Sequence, residues 1–172
     1  MSAILRPARA NDAVAIDAVA LSAFAQYRDI YSDWATFSRG VSAMSALGRS
    51  ADLIVAEDGG RIVGAVAYVG PDRPKPDFFE PGWPAIRMLV VDPGARGGGI
   101  GRRLTQACID RAMADGAPLI ALHTSPIQAV AMAMYQRMGF RELRPIAPIF
   151  GVAYSIYLLS LDGRAESQSN RP

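Results

Sequence analysis

The sequence predicts an α/β protein, a mixed sheet with helices on its faces. Three observations lead there. Residues 86–91 are a β-forming run that passes through a turn and a glycine cluster straight into an amphipathic helical pattern over 100–115. Residues 53–57 and 61–69 are apolar runs joined by Asp58-Gly59-Gly60, the chemistry of a hairpin turn. Elsewhere helical and strand patterns alternate, which is the order of a layered sheet and not of a bundle or sandwich.

Each element has its own signal. Residues 3–8 read as a short edge strand, with Pro7 tolerable near its end. Residues 11–29 space Val14, Ala18, Leu21 and Phe24/Ala25 as one helical face, with Asn11 as the N-cap. A second helix falls within 33–47. Residues 71–84 contain five prolines and form a long irregular loop. The helix over 100–115 turns Ile100, Leu104, Ala107/Cys108 and Ala112 inward. Residues 119–124 are the next strand. A further helix ends at Gly139, a good C′ residue, and sets Ile127, Val130/Ala131, Met134 and Met138 as an apolar stripe for the sheet. Residues 140–144 and 152–161 are the last strands, and the charge-free stretch 145–161, broken by Pro145, Pro148 and Gly151, suits a buried strand pair better than a membrane span.

The junction Val90-Val91-Asp92-Pro93-Gly94-Ala95-Arg96-Gly97-Gly98-Gly99-Ile100-Gly101-Arg102 is the most informative stretch. Glycine admits backbone conformations and close approaches that a Cβ blocks. The unpaired N–H groups of a first helical turn, at the positive end of the helix dipole, then make an anion site suited to a pyrophosphate. Arg96 and Arg102 add charge at its mouth. The plainer alternative is a turn that needs flexibility alone. Gly-Lys occurs nowhere, so the P-loop spacing fails, and Arg102 and Leu104 stand where Gly-x-Gly-x-x-Gly would need its last glycine.

What remains, Arg-x-x-Gly-x-Gly from Arg96 to Gly101 after a strand ending Val-Val-Asp-Pro, resembles the acetyl-CoA pyrophosphate loop of the GNAT acyltransferases, the large N-acetyltransferase superfamily. About thirty residues on, Gln128 to Phe140 is similar to the family's second cofactor segment, a helix ending Tyr-x-x-x-Gly-Phe at Tyr135, Gly139 and Phe140. The resemblance covers roughly residues 3–161, taken as one domain, with 162–172 a polar, frayed tail. It implies a mostly antiparallel sheet of about six to seven strands, flanked by about four helices and splayed at the cofactor site. It implies acetyl transfer from acetyl-CoA, the acyl donor, to a primary amine of a small molecule, amino acid or peptide. A non-catalytic acyl-CoA-binding or sensor module on the same fold is the alternative.

The resemblance also distributes roles. Backbone groups of Leu89, Val90 and Val91 would hold the pantetheine arm and polarise the thioester. Arg96, Gly97, Gly98, Gly99, Ile100, Gly101 and Arg102 would hold the pyrophosphate. Gln128, where many relatives carry asparagine, would reach the cofactor, and at helical spacing it shares a face with Tyr135, two turns on. Tyr135 would protonate the departing thiolate, unless it is a tyrosine packed on the core. Many relatives carry a glutamate on the central strand. Here that strand reads Ala85-Ile86-Arg87-Met88-Leu89-Val90-Val91, and Arg87 cannot act as a base. Glu80 and His123 are the candidate bases, against a solvated loop carboxylate, a hydrogen-bonded structural histidine, or ordered water doing the task.

The acceptor would be framed by the break between the first two helices, the proline-rich loop and the connection 145–151. Tyr27, Tyr31, Trp34, Phe79 and Trp83 suit an apolar body, and Arg87 keeps a carboxylate-bearing acceptor open. Composition narrows the partners further. The net charge is +2 with signs interspersed, so nothing calls for nucleic acid or an anionic membrane. A single cysteine excludes an intrachain disulfide and fits the cytoplasm, and one histidine with no Cys/His cluster gives no metal site. The N-terminus has no continuous apolar segment, so no signal peptide is read. Cys108, on an inward helix face, reads as a packed thiol. A homodimer stays open.

Overall fold

The structure is a computed structural model and describes residues 2–164. Residues 165–172, most of the expected polar tail, lie outside the described residues. The strands are β1 (Ile4–Pro7), β2 (Asp52–Asp58), β3 (Arg61–Val69), β4 (Ala85–Val91), β5 (Leu119–Thr124), β6 (Arg141–Ile149) and β7 (Val152–Ser160), and the helices are α1 (Ala13–Phe24), α2 (Trp34–Val41), α3 (Ile100–Ala114) and α4 (Ala129–Met138), with short 3₁₀ turns between. One sheet runs β1-β2-β3-β4-β5-β7-β6. Every neighbouring pair is antiparallel except β4 with β5. The mixed, mostly antiparallel sheet flanked by helices is therefore as the sequence predicts.

Two cores sandwich the sheet. Ile16, Val19, Ala20, Ala23 and Phe24 of α1 bury one face against Val55, Ala65 and Val90, with α2 alongside. Leu104, Cys108, Ile109 and Ala112 of α3 bury the other against Val66, Ile86, Ile120 and Leu122, where α4 adds Tyr135. The β2–β3 turn places Gly59 and Gly60 at φ 56° and 81°, the left-handed pair a two-residue hairpin needs. Gly64 serves another purpose. A Cβ there would sit 3.1 Å from Ile100 Cγ2 and from the Val90 carbonyl oxygen, and 3.2 Å from Leu104 Cδ1, so its absence lets α3 lie close on β3.

The sheet parts in its middle. β4 and β5 share one ladder pair, Ala85 with Ala121, where the Ala121 N–H donates to the Pro84 carbonyl at 2.9 Å. Beyond it the β3–β4 register slips: Ala67 pairs Arg87 but Ala65 pairs Val90, so β4 carries an extra residue. Met88 sits in that bulge at φ 54°, a left-handed conformation unusual for a side chain of its size. A bulged strand bends, and here it bends where the pairing with β5 stops.

Four expectations need correcting. The buried face of α1 is not Val14, Ala18 and Leu21: Val14 is 83% exposed and Leu21 39%. α1 is apolar nearly all round, so two stripes competed, and the one holding Ile16 and Phe24 faces the sheet. Asn11 does not cap this helix. Asp12 stands at its start, accepting from the Arg9 N–H at 2.7 Å and pairing with Arg6, which also holds Glu57 at 2.6 Å and so ties β1 to β2. Val130, in the first turn of α4, is 84% exposed and leaves the stripe to Ala131, Met134 and Met138. Finally, the stretch 145–151 is no loop. β6 runs through Pro145 and Pro148 to Ile149, mostly exposed, because it is the sheet's edge and a proline there forfeits no ladder bond. The turn shrinks to Phe150 and Gly151.

Gly64→Ala should lower stability by about 1–3 kcal/mol, since the backbone carbonyl it meets cannot step aside. Gly98→Ala, whose Cβ meets nothing within 4 Å, should change it by less than about 0.5 kcal/mol. Urea denaturation of the two variants reads the contrast.

Candidate active site

The end of β4 builds the first half of the site. Asp92 follows the strand and accepts from the Gly94 N–H at 2.8 Å, closing the turn Pro93–Ala95. Arg96 is extended, Gly97 turns to φ 88°, and Gly99, at φ 74°, is the residue from which α3 starts. Only glycine reaches these angles without strain. A Cβ on Gly97, Gly98 or Gly99 would meet nothing within 4 Å, so the backbone here borders open space. The N–H groups of the first α3 turn have no intrahelical partner and lie at the positive end of its dipole. A Cβ on Gly101 would contact Val91 Cγ2 at 3.7 Å, Met134 Sδ at 3.8 Å and Leu89 Cδ2 at 3.9 Å, so the start of α3 meets the end of β4 and the side of α4. The two stretches singled out in the sequence thus adjoin.

The arginines divide. Arg96 reaches the end of α1, donating to the Ala23 carbonyl at 3.3 Å beside Tyr27. Arg102 is exposed, and no hydrogen bond or ion pair forms to it among the described residues, whereas Arg103 is tied to the Ala3 carbonyl at 2.7 Å. Gln128 is the N-cap of α4 and not a member of its face: the helix begins at Ala129, and the Gln128 Oε1 accepts from the Thr124 hydroxyl at 2.9 Å. Tyr135 is buried in the α3–α4 core, edge-on to Phe140 with ring centroids 5.7 Å apart. Burial, with Cys108 nearby, pushes its phenol above the ordinary 10, so it stays protonated at neutral pH. The Cys108 thiol is likewise pushed up by burial, which keeps it inert.

The second half lies in the β4–β5 opening. Arg87 and His123 each stand two residues beyond the single pair Ala85–Ala121 of two parallel strands, so they are level and on the same face. Arg87 Nε and His123 Nδ1 are the two fully buried side-chain polar atoms among the described residues that have no hydrogen-bond partner. Desolvation depresses Arg87. Desolvation, then the charge of Arg87, lowers His123 to about 4. Aromatic rings surround the imidazole: Phe78, Phe79 and Tyr154 lie with centroids 4.9, 5.8 and 5.4 Å away. The Tyr154 hydroxyl is hydrogen-bonded to that of Tyr31, a residue that stacks on Phe37 at 3.8 Å. Trp34 and Tyr27 pack on the same cluster, while Trp83 belongs with Phe79 and Ala85 in another. Glu80, next to buried Phe79, is exposed and pairs with Arg144 at 3.3 Å.

Tyr154 escaped the sequence reading. Nothing local distinguishes it from other strand tyrosines, and only the β5–β7 register, His123 against Ile156, brings it beside the imidazole. Two surface depressions of about 310 and 390 Å³ lie elsewhere, one by Tyr68 and Asp115, the other by Ser45 and Arg111. In the first, Tyr68 donates to Asp115 at 2.6 Å.

Comparison with known proteins places this geometry in a family. The sequence profile of the acetyltransferase (GNAT) family matches residues 18–140. The chain belongs to that family. IAA acetyltransferase of Azospirillum brasilense is 39% identical over 69 residues, which are 40% of this chain and 45% of that protein. The chain spans less than half the length of the curated relatives it matches. A GCN5-related N-acetyltransferase from Rhodopseudomonas palustris superposes with a TM-score of 0.73 at 23% identity, over 94% of this chain and 97% of that one. The Salmonella typhimurium protein yncA, solved with its cofactor acetyl-CoA, does so with a TM-score of 0.68 at 22% identity, over 95% and 96%. No helix among the described residues is long and apolar enough to cross a membrane.

Arg87→Met should raise the His123 midpoint above about 4 while leaving it below 6.5, because the cation goes and the burial stays. It should also raise Tm, since a buried charge without a partner opposes folding. A proton NMR titration follows the first effect without ambiguity, as the chain has one histidine, and a thermal melt reads the second.

Proposed function

We propose that this chain is an N-acetyltransferase, acting in the cytoplasm, that moves an acetyl group from acetyl-CoA directly to a primary amine. One observation carries the reading: the strand pair that opens after Ala85–Ala121 leads to the glycine-turned start of α3. Open space over Gly97, Gly98 and Gly99 fits a bulky pyrophosphate, and β4 backbone left unpaired on its β5 side fits a peptide-like arm. Acetyl-CoA, when bound, supplies an activated acetyl thioester.

The chain's own residues do the rest. Backbone groups of Leu89, Val90 and Val91 hold the arm, and an N–H among them polarises the thioester carbonyl as an oxyanion hole does. Arg96, Gly97, Gly98, Gly99, Ile100, Gly101 and Arg102 hold the pyrophosphate, and Gln128 steadies the start of α4 beside it. The neutral Tyr135 phenol delivers a proton to the departing thiolate, whose own proton affinity rises in the same dry surroundings. Tyr27, Tyr31, Trp34, Phe79 and Trp83 shape the acceptor side. Of the two candidate bases His123 is the better placed: it is neutral at pH 7 and inside the opening, while Glu80 is outside and held by Arg144. A midpoint near 4 makes it a weak base on its own, so water shares the task.

Gly99→Glu puts bulk and negative charge at the pyrophosphate site and should abolish CoA binding in a folded protein. Calorimetry decides it, and an unchanged affinity refutes the loop's role. Tyr135→Phe keeps the ring packing and removes the proton. It should lose on the order of 10²–10⁴-fold in kcat with CoA affinity nearly unchanged. Thiol release as fast as in the parent would make the tyrosine structural. CoA binding without turnover on any amine would favour the sensor module.

A further inference from the structure

Arg87 is a half-buried cation that makes no hydrogen bond and no ion pair among the described residues, and its Nε is sealed from water. Its strand neighbour His123 is sealed at Nδ1 in the same way. Folding strips water from Arg87 Nε and His123 Nδ1 and returns no partner to either, which natural sequences avoid unless one arrives later. The two stand level on one face of the opening where the acceptor would enter. Resting on the transferase reading above, we propose that Arg87 and His123 bind a carboxylate of the acceptor, so that the substrate is an amino acid or a closely related amino carboxylate.

The chemistry of the two side chains selects this anion. The planar guanidinium matches a carboxylate through paired N–H donors. One full positive charge faces one full negative charge. A phosphate monoester would need more, and two other basic groups are engaged: Lys75 donates to the carbonyls of Pro71 and Arg73, and Arg96 to that of Ala23. The neutral imidazole adds a donor without adding a second cation. Phe78, Phe79 and Tyr154 pack around the imidazole and make its surroundings suit an apolar side chain.

The carboxylate also improves the base. The groups facing the imidazole are Arg87 from β4, Tyr154 from β7 and two phenylalanines from the loop, so among the described residues nothing acidic offsets Arg87. A bound anion does, and His123 regains proton affinity as substrate arrives. The reaction then balances. The ammonium gives one proton to His123 or to water behind it. The freed amine forms a bond to the acetyl carbon and sheds its second proton, the carbon–sulfur bond breaks, the thiolate takes a proton from Tyr135, and the shed proton restores the phenol through water. The products are an N-acetylamino acid and free CoA thiol, with one proton released.

The test uses the full chain saturated with CoA and the standard α-amino acids beside their α-carboxamides. The effective amino acids should raise the His123 NMR midpoint from about 4 toward 6.5, and their amides should not. With acetyl-CoA, thiol release should prefer acid over matched amide by on the order of 10²-fold in kcat/KM. Arg87→Gln should erase that preference and the shift together, and Arg87→Lys, which keeps the charge and loses the fork, should restore part of both. Amides that react as well as acids overturn the proposal and leave the transferase reading standing. A His123 shift without turnover supports the carboxylate site and defeats the transfer. Neither shift nor turnover, with CoA bound, overturns the proposal.

Discussion

The interaction on which the rest of the structure depends is one that stops: the pairing of β4 with β5. A continuous sheet would carry hydrogen bonds along the whole length of both strands. Here the ladder ends after Ala85 and Ala121, and β4 turns aside through a bulge with Met88 left-handed. Such a residue costs about 1–3 kcal/mol, and it persists only where its surroundings over-determine it. They do so here. Met88 packs against the α1 core, Val90 is buried there too, and the register with β3 resumes at Ala65. The strand is held open from the side away from the gap.

Every functional piece takes its position from that opening. The bent end of β4 aims the chain into the glycine turn, and Gly64 lets α3 settle close behind it. The start of α3 then meets Met134 of α4, which sets the helix ending at Gly139 beside the glycine turn. The gap also leaves Arg87 and His123 side by side on one face, level on the two strands. The fold tolerates two buried, unpartnered side-chain polar atoms there and, among its described residues, nowhere else. Local conflict with an otherwise consistent fold is the mark of a site shaped for binding.

The sequence made the fold legible where local chemistry dictates it. Asp58-Gly59-Gly60 fixed one hairpin, the strand–glycine–helix junction fixed the centre, and Gly139 ended α4 at φ 104° as a C′ glycine does. It misled where two local solutions were equal. Helix α1 offered two apolar stripes, and only the sheet chose between Val14 and Ile16. Two prolines hid the length of β6, since its place at the edge is a property of strand order and not of composition. The site divides the same way. Gly97, Gly99 and Tyr135 carry motif spacing. Tyr154 carries none, and the pairing of Arg87 with His123 exists only in the register of two strands that are far apart in the chain.

The central claim is that the β4–β5 opening and the α3 start form one continuous cleft for acetyl-CoA. Backbone hydrogen exchange, residue by residue with and without acetyl-CoA, tests it most directly. The account predicts slowed exchange confined to the amides of residues 89–91 and 97–102. Slowed exchange elsewhere, with those amides unchanged, would contradict it.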